Sequence, residues 1–137
     1  MQIRPLAEAD LPELLALYRH LHINDDPLPA ESKVSEVWGE YMSSPSIKCF
    51  GVFVAHELVA SATLVVIPNL TRGCKPYGLI ENVVTHEAHR NRGYGSSVLR
   101  VAQSHAWAVG CYKVMLLTGR KDSNTLRFYQ SAGFSSD

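Results

Sequence analysis

Apolar residues return at helical spacing early in the chain and at alternate positions through its middle. Leu11, Leu14, Leu15, Tyr18 and Leu21 mark one stripe of a first helix. Asp10, with Glu13 three residues on, reads as its capping box. The two prolines and two aspartates between Asn24 and Pro29 end that helix in a loop. Glu31 to Met42 forms a second helix, with Val34, Val37, Trp38 and Tyr41 on one side. Cys49–Ala55 and Leu58–Ile67 are rich in β-formers and predict an antiparallel hairpin through His56-Glu57. Pro68 to Pro76 is a polar loop, and Tyr77 to Val84 is the next strand.

Beyond that strand, Val98, Leu99, Ala102, Ala106 and Val109 line a helix from Ser96 to Val109. Gly110 stands where a helix-ending glycine belongs. Lys113–Thr118 reads as a strand. Asp122 or Ser123 caps a last helix with Leu126, Phe128 and Tyr129, ended by Gly133. With Gln2–Pro5 as a short first strand, the order is β-α-α-β-β-β-α-β-α. It implies one α/β (α+β) domain over residues 1–137.

Composition narrows the chemistry. The 137 residues are 46% hydrophobic and 19% charged, as in a globular domain with one core. Formal net charge is zero, so no global field favours nucleic acid or an anionic membrane. No apolar run approaches the ~20 residues of a membrane span. Cys49, Cys74 and Cys111 are odd in number and lack C-x-x-C spacing, which disfavours a disulfide framework or zinc site. Together with an N-terminus lacking an apolar signal region, this predicts a cytoplasmic protein. His86 and His89 have H-x-x-H spacing without a nearby third ligand, so no metal is expected.

The densest chemical signal is Arg90-Asn91-Arg92-Gly93-Tyr94-Gly95-Ser96, set between a strand and a helix. Basic local clusters occur here and at Arg120/Lys121. Gly93 and Gly95 allow positive φ and close approach to a ligand. The first turn of the following helix offers unpaired N–H groups and the positive end of its dipole. A phosphate or pyrophosphate suits that place. A P-loop requires G-x-x-x-x-G-K-[ST], which is absent. A dinucleotide loop requires G-x-G-x-x-G, but Val98 occupies the third glycine position.

The remaining pattern, Arg-x-x-Gly-x-Gly, resembles the acetyl-CoA pyrophosphate loop of the GNAT superfamily of N-acetyltransferases. Asn124, Phe128-Tyr129 and Gly133-Phe134 follow in that superfamily's order. Within it, Ile80-Glu81-Asn82-Val83-Val84 and Gly110-Cys111-Tyr112-Lys113 are similar to segments of glucosamine-6-phosphate N-acetyltransferases. The departure is Asn82, where those enzymes carry aspartate. An amide cannot act as a carboxylate base, so the acceptor stays open.

The resemblance implies a central mixed, mostly antiparallel sheet flanked by helices. It also implies acetyl-CoA as acyl donor and direct transfer to an amine. Arg90 to Ser96 would hold the pyrophosphate. The main chain of Val83, Val84 and Thr85 would pair with pantetheine and stabilise the oxyanion. Asn124 would contact CoA, Tyr129 would protonate the leaving thiolate, and Glu81 is the candidate base. Polar residues of His20–Pro29 and the turn Asn69–Arg72 fall where members recognise the acceptor. A small-molecule amine is expected rather than a protein. The alternative is a non-catalytic module of the same fold that binds CoA or another phosphate ligand. Members usually continue past Gly-Phe with a two-stranded hairpin, whereas this chain stops at Asp137. Either residues are missing from this chain, or another subunit covers the Lys113–Thr118 edge; association as a homodimer is the expectation.

Overall fold

The computed structural model describes residues 1–22, 24–116, 127–130 and 133–134. Among the described residues, five strands form one sheet in sequence order: β1 (Gln2–Pro5), β2 (Ile47–Val54), β3 (Glu57–Ile67), β4 (Tyr77–Thr85) and β5 (Val114–Leu116). The first four pair antiparallel, and β5 runs parallel to β4. Residues 58–64 of β3 are buried without alternation, because both faces of this central strand are covered.

Helix α3 (Tyr94–Ala108) covers one face. Its Val98, Leu99, Ala102 and Ala106 are fully buried against Val52, Ala62, Leu64 and Ile80. Helices α1 (Leu11–Tyr18) and α2 (Glu31–Ser43) belong to the other face. There Leu14, Leu17 and Trp38 cluster with Phe53, Leu58 and Val84. Trp38 Nε1 also donates to the carbonyl of Glu8 at 3.0 Å, which joins α2 to the short turn before α1.

Several local expectations change. Asp10 does not cap α1 with its side chain. Its carboxylate takes a two-pronged bond from Arg4, at 2.8 and 3.2 Å, and the Ala7 N–H at 2.6 Å. Glu13 instead accepts from the N–H of Leu58 at 3.2 Å. The buried stripe of α1 is centred on Leu14 and Leu17, so Leu17 replaces Leu15 at its middle. Val37 and Val109 are largely exposed. The β2–β3 turn is Ala55-His56, both at positive φ (50° and 66°), one residue earlier than His56-Glu57. That pair of left-handed residues matches the twist of the hairpin without a glycine.

One irregularity governs the site. The β3–β4 register runs from Thr63↔Glu81 to Ser61↔Val84, so Ala62 stands against two residues of β4. Asn82, at φ 53°, is the backbone outlier of this bulge. Asparagine and aspartate tolerate the left-handed region better than other side chains. The bulge inverts the strand's alternation. Ile80 packs with α3, yet Val84, four residues on, packs with α1 and α2.

Candidate active site

The glycine run lies where β4 gives way to α3. After β4 a short 3₁₀ turn (Glu87–His89) leads to Asn91, at φ 64°, and Gly93, at φ 81°. Gly93 is the N-cap of α3, with open space around the position a Cβ would take. No side chain caps the helix there, and the first closing bond is Ser97 N–H to Gly93 O at 3.0 Å. The amides of Tyr94, Gly95 and Ser96 therefore lack an intrahelical acceptor. Asn91, Arg92 and Gly93 are exposed, and Tyr94 and Ser96 are half-buried.

Gly95 has a different role from Gly93. It is buried and helical, and a Cβ on it would sit 3.0 Å from both Phe128 Cζ and Thr85 Oγ1. Its missing side chain lets α3 close onto the end of β4 and onto the helical residues 127–130. Arg90 also differs from expectation. Its Nε donates to Thr85 O at 3.2 Å and its Nη2 to His20 O at 3.1 Å. The guanidinium thus ties the turn to the end of β4 and to the chain just after α1.

On β4, the bulge sorts the candidate residues between faces. Val83 packs toward α3 and Val84 toward α1 and α2. Described β5 pairing covers Gly78, Leu79 and Ile80 of β4. Residues 81–85 have no strand partner on that side among the described residues. Glu81 follows Ile80 and so faces α1 and α2. Its charge helps raise the Tyr41 pKa, after burial and Cys49. Thr63 stands opposite Glu81 on β3, in a row of polar side chains. Cys49 Sγ is 3.4 Å from Thr63 Oγ1, and Ser61 donates to Phe50 O at 2.8 Å.

Tyr129 lies on the α3 face, half-buried against that core, with ring centroids 5.1 Å from Phe128 and 6.5 Å from Phe134. Because Phe128 fills the notch at Gly95, Tyr129 is anchored beside the first turn of α3. Glu81 and Tyr129 thus stand on opposite faces of the sheet. Asn124, Arg120/Lys121 and the expected cap Asp122 or Ser123 lie outside the described residues. Among the described residues no group of three or more His, Cys, Asp or Glu is placed to hold a metal ion. Cys111 is buried, which raises its thiol pKa.

The model of the acetyltransferase (GNAT) family matches residues 12–134. The chain belongs to that family. Its five-stranded mixed sheet flanked by helices is the GNAT fold, and as a member it is an acyl-CoA-dependent N-acetyltransferase. The glucosamine 6-phosphate N-acetyltransferase of Trypanosoma brucei brucei is 31% identical over 134 residues, covering 98% of this chain and 88% of that protein. Among solved structures, "Putative acetyltransferase from Agrobacterium tumefaciens str. C58" superposes with a TM-score of 0.94 at 43% identity, covering 100% of this chain and 94% of the other. The Trypanosoma brucei acetyltransferase Tb11.01.2886 superposes at 0.84 with 28% identity, covering 99% and 93%.

Sequence reasoning named the residues but missed three features that shape this candidate site. His20 receives Arg90, Phe128 fills the Gly95 notch, and Asn82 makes the bulge. Nothing in the sequence pointed to His20 as a partner of Arg90, seventy residues away.

Proposed function

We propose that the protein moves an acetyl group from acetyl-CoA to a small-molecule primary amine by direct transfer in a ternary complex. The observation that carries this reading is the uncapped first turn of α3 beside residues 81–85 of β4, which among the described residues have no strand partner on the β5 side. The amides of Tyr94, Gly95 and Ser96, with Arg92 in the same run, suit a pyrophosphate. The main chain of Val83, Val84 and Thr85 suits an extended pantetheine and an oxyanion.

The amine nitrogen attacks the thioester carbonyl carbon, forming the C–N bond, and the carbonyl oxygen becomes the oxyanion. Collapse breaks the C–S bond, and the leaving thiolate takes the proton of Tyr129. The proton lost by the amine passes to Glu81, directly or through water. Acid and base on opposite sheet faces fit a donor on the α3 side and an acceptor on the α1/α2 side. The relatives named for glucosamine 6-phosphate make that amino-sugar phosphate the first acceptor to try. The left-handed backbone at Asn82 supports a conformational role there for either Asn or Asp. A second copy of the chain on the β5 edge, where Met115 is partly exposed, completes the proposal.

The test is CoA release from acetyl-CoA across a panel of amines, with glucosamine 6-phosphate, other amino sugars, amino acids and a lysine peptide as separate arms. Turnover with a small amine supports transfer. Acetyl-CoA binding without turnover on any arm would instead mark a binding module. Light scattering tests the dimer.

A further inference from the structure

Three imidazole rings stand in a row where the chain after α1 meets the turn before α3, and the transfer reaction uses none of them. The His20 and His86 ring centroids are 4.0 Å apart, and those of His86 and His89 are 5.4 Å apart. His89 in turn lies 6.3 Å from the Tyr94 ring of α3.

One nitrogen each of His20 and His86 is committed to backbone. His86 Nδ1 accepts from the N–H of Ala88 at 3.0 Å, and His20 Nδ1 accepts from the N–H of Glu87 at 3.5 Å. The same His20 offers its carbonyl to Arg90, whose Nε holds Thr85. Residues 85–90 are thus fastened to the chain after α1 by the Glu87 amide, the His20–His86 ring stack and the Arg90 guanidinium, while the Ala88 amide caps the turn on His86 itself.

An imidazole nitrogen that accepts from an amide carries no proton. Protonating Nδ1 of either ring sets one N–H against another and breaks that bond. It also brings a positive charge against a second ring and beside Arg90. The other charged groups here are Glu87 on the turn, and Glu57 of β3, whose Oε2 lies 3.7 Å from His89 Nε2. Glu57 therefore faces the far end of the row rather than the His20–His86 pair. His89 Nδ1 is buried without a hydrogen-bond partner among the described residues.

We infer that His20 and His86 are positioning residues for the anion-binding turn and make its grip on acyl-CoA pH-dependent. Neutral rings hold residues 85–90, and so Arg90 and the first turn of α3, against the chain after α1. A protonated ring releases them. The inference rests on the reading of that turn as the CoA phosphate site.

The experiment compares the full chain with His86→Asn and His86→Ala between about pH 8 and about pH 5, the range in which imidazole takes up its proton. Asparagine keeps an acceptor oxygen near the place of Nδ1 but does not titrate. Changes in CoA's own ionisation affect all three proteins alike, so ratios isolate the latch. Relative to His86→Asn, wild-type affinity for acetyl-CoA should fall about fivefold on acidification, the effect of one hydrogen bond. His86→Ala should be weaker by a similar factor at the high-pH end. Parallel profiles for wild type and His86→Asn overturn the inference.

A second readout does not need CoA. In the free protein, exchange of the Glu87 and Ala88 amides, corrected for intrinsic pH dependence, should speed up as wild type is acidified. The Ala88 amide should stay slow in His86→Asn. Unchanged exchange in wild type overturns the latch even if acetyl-CoA binds. Slow-to-fast exchange without any acetyl-CoA binding would uphold the latch and sink the phosphate-site reading instead.

Discussion

A Cβ placed on Gly95 would stand 3.0 Å from the ring of Phe128. That contact joins the first turn of α3 to the short helical stretch bearing Tyr129, so the two halves of the proposed donor site share one steric fit. The same Cβ would also meet Thr85 Oγ1 at 3.0 Å, on the strand end. Gly95→Ala must then push residues 127–130 or Thr85 away from α3. Overpacking of this kind costs about 1–3 kcal/mol. The variant should melt lower and bind acetyl-CoA more weakly. Unchanged melting and unchanged Kd would show that the notch is slack.

Tyr129→Phe keeps the ring that packs between Phe128 and Phe134 and removes only the hydroxyl. Loss of a positioned general acid lowers turnover by about a hundredfold or more. The expected result is a fall in kcat with a good acceptor and little change in acetyl-CoA Kd or in melting temperature. A kcat equal to wild type would remove Tyr129 from the role of acid.

These two positions also show how far the sequence could be read. The glycine run and the Phe-Tyr pair were legible because backbone demands and ring chemistry leave short-range patterns. The strands and helices were legible from periodicity, and α3 was predicted almost to its inner residues. The bulge at Asn82 was not legible, because Ile-Glu-Asn-Val-Val alternates acceptably in either phase. Leu17 was missed because Leu14, Leu15, Leu17 and Tyr18 admit two stripes, and only packing on Trp38 and Phe53 chooses between them. The contacts of Arg90 with the carbonyls of Thr85 and His20 were not legible, because His20 lies seventy residues away in the chain.

Asp10 offers a test of stability away from the site. The Arg4 hydrogen bond, ahead of the Ala7 amide, holds its carboxyl below the usual carboxylate range, against the effect of burial. Because the folded value lies below the unfolded one, this stabilisation is complete above about pH 4. It is lost as pH falls through the folded value. Arg4 is about one-third exposed (34%), which screens the pair. Asp10→Asn should cost about 1–2 kcal/mol at neutral pH. Urea unfolding of both proteins checks this, and the difference should close in acid. A difference that persists there would mean packing rather than charge.

Tyr18 should respond in the opposite sense. Its hydroxyl is buried close to Thr63 and Cys49 but within full hydrogen-bond geometry of no described residue. Burial first, then the neighbouring Cys49, pushes its pKa well above the ordinary value. Folding therefore favours the neutral phenol, and this part of the stability is lost as pH rises past about 10, where the unfolded chain ionises. Tyr18→Phe removes a desolvated polar atom and should raise stability by up to about 1 kcal/mol at neutral pH. It should also unfold less readily than wild type in alkali. A destabilised variant would reveal a water or polar partner for that hydroxyl.

The extra residue at Asn82 has a consequence for the hydrogen bonding of β4. Removing it would restore simple alternation and leave Val84 and Thr85 on their present sides, since Ala62 would then face one residue instead of two. With it, Asn82 and Val83 share the place of one residue opposite Ala62, so a backbone group next to Glu81 is released from the ladder with β3.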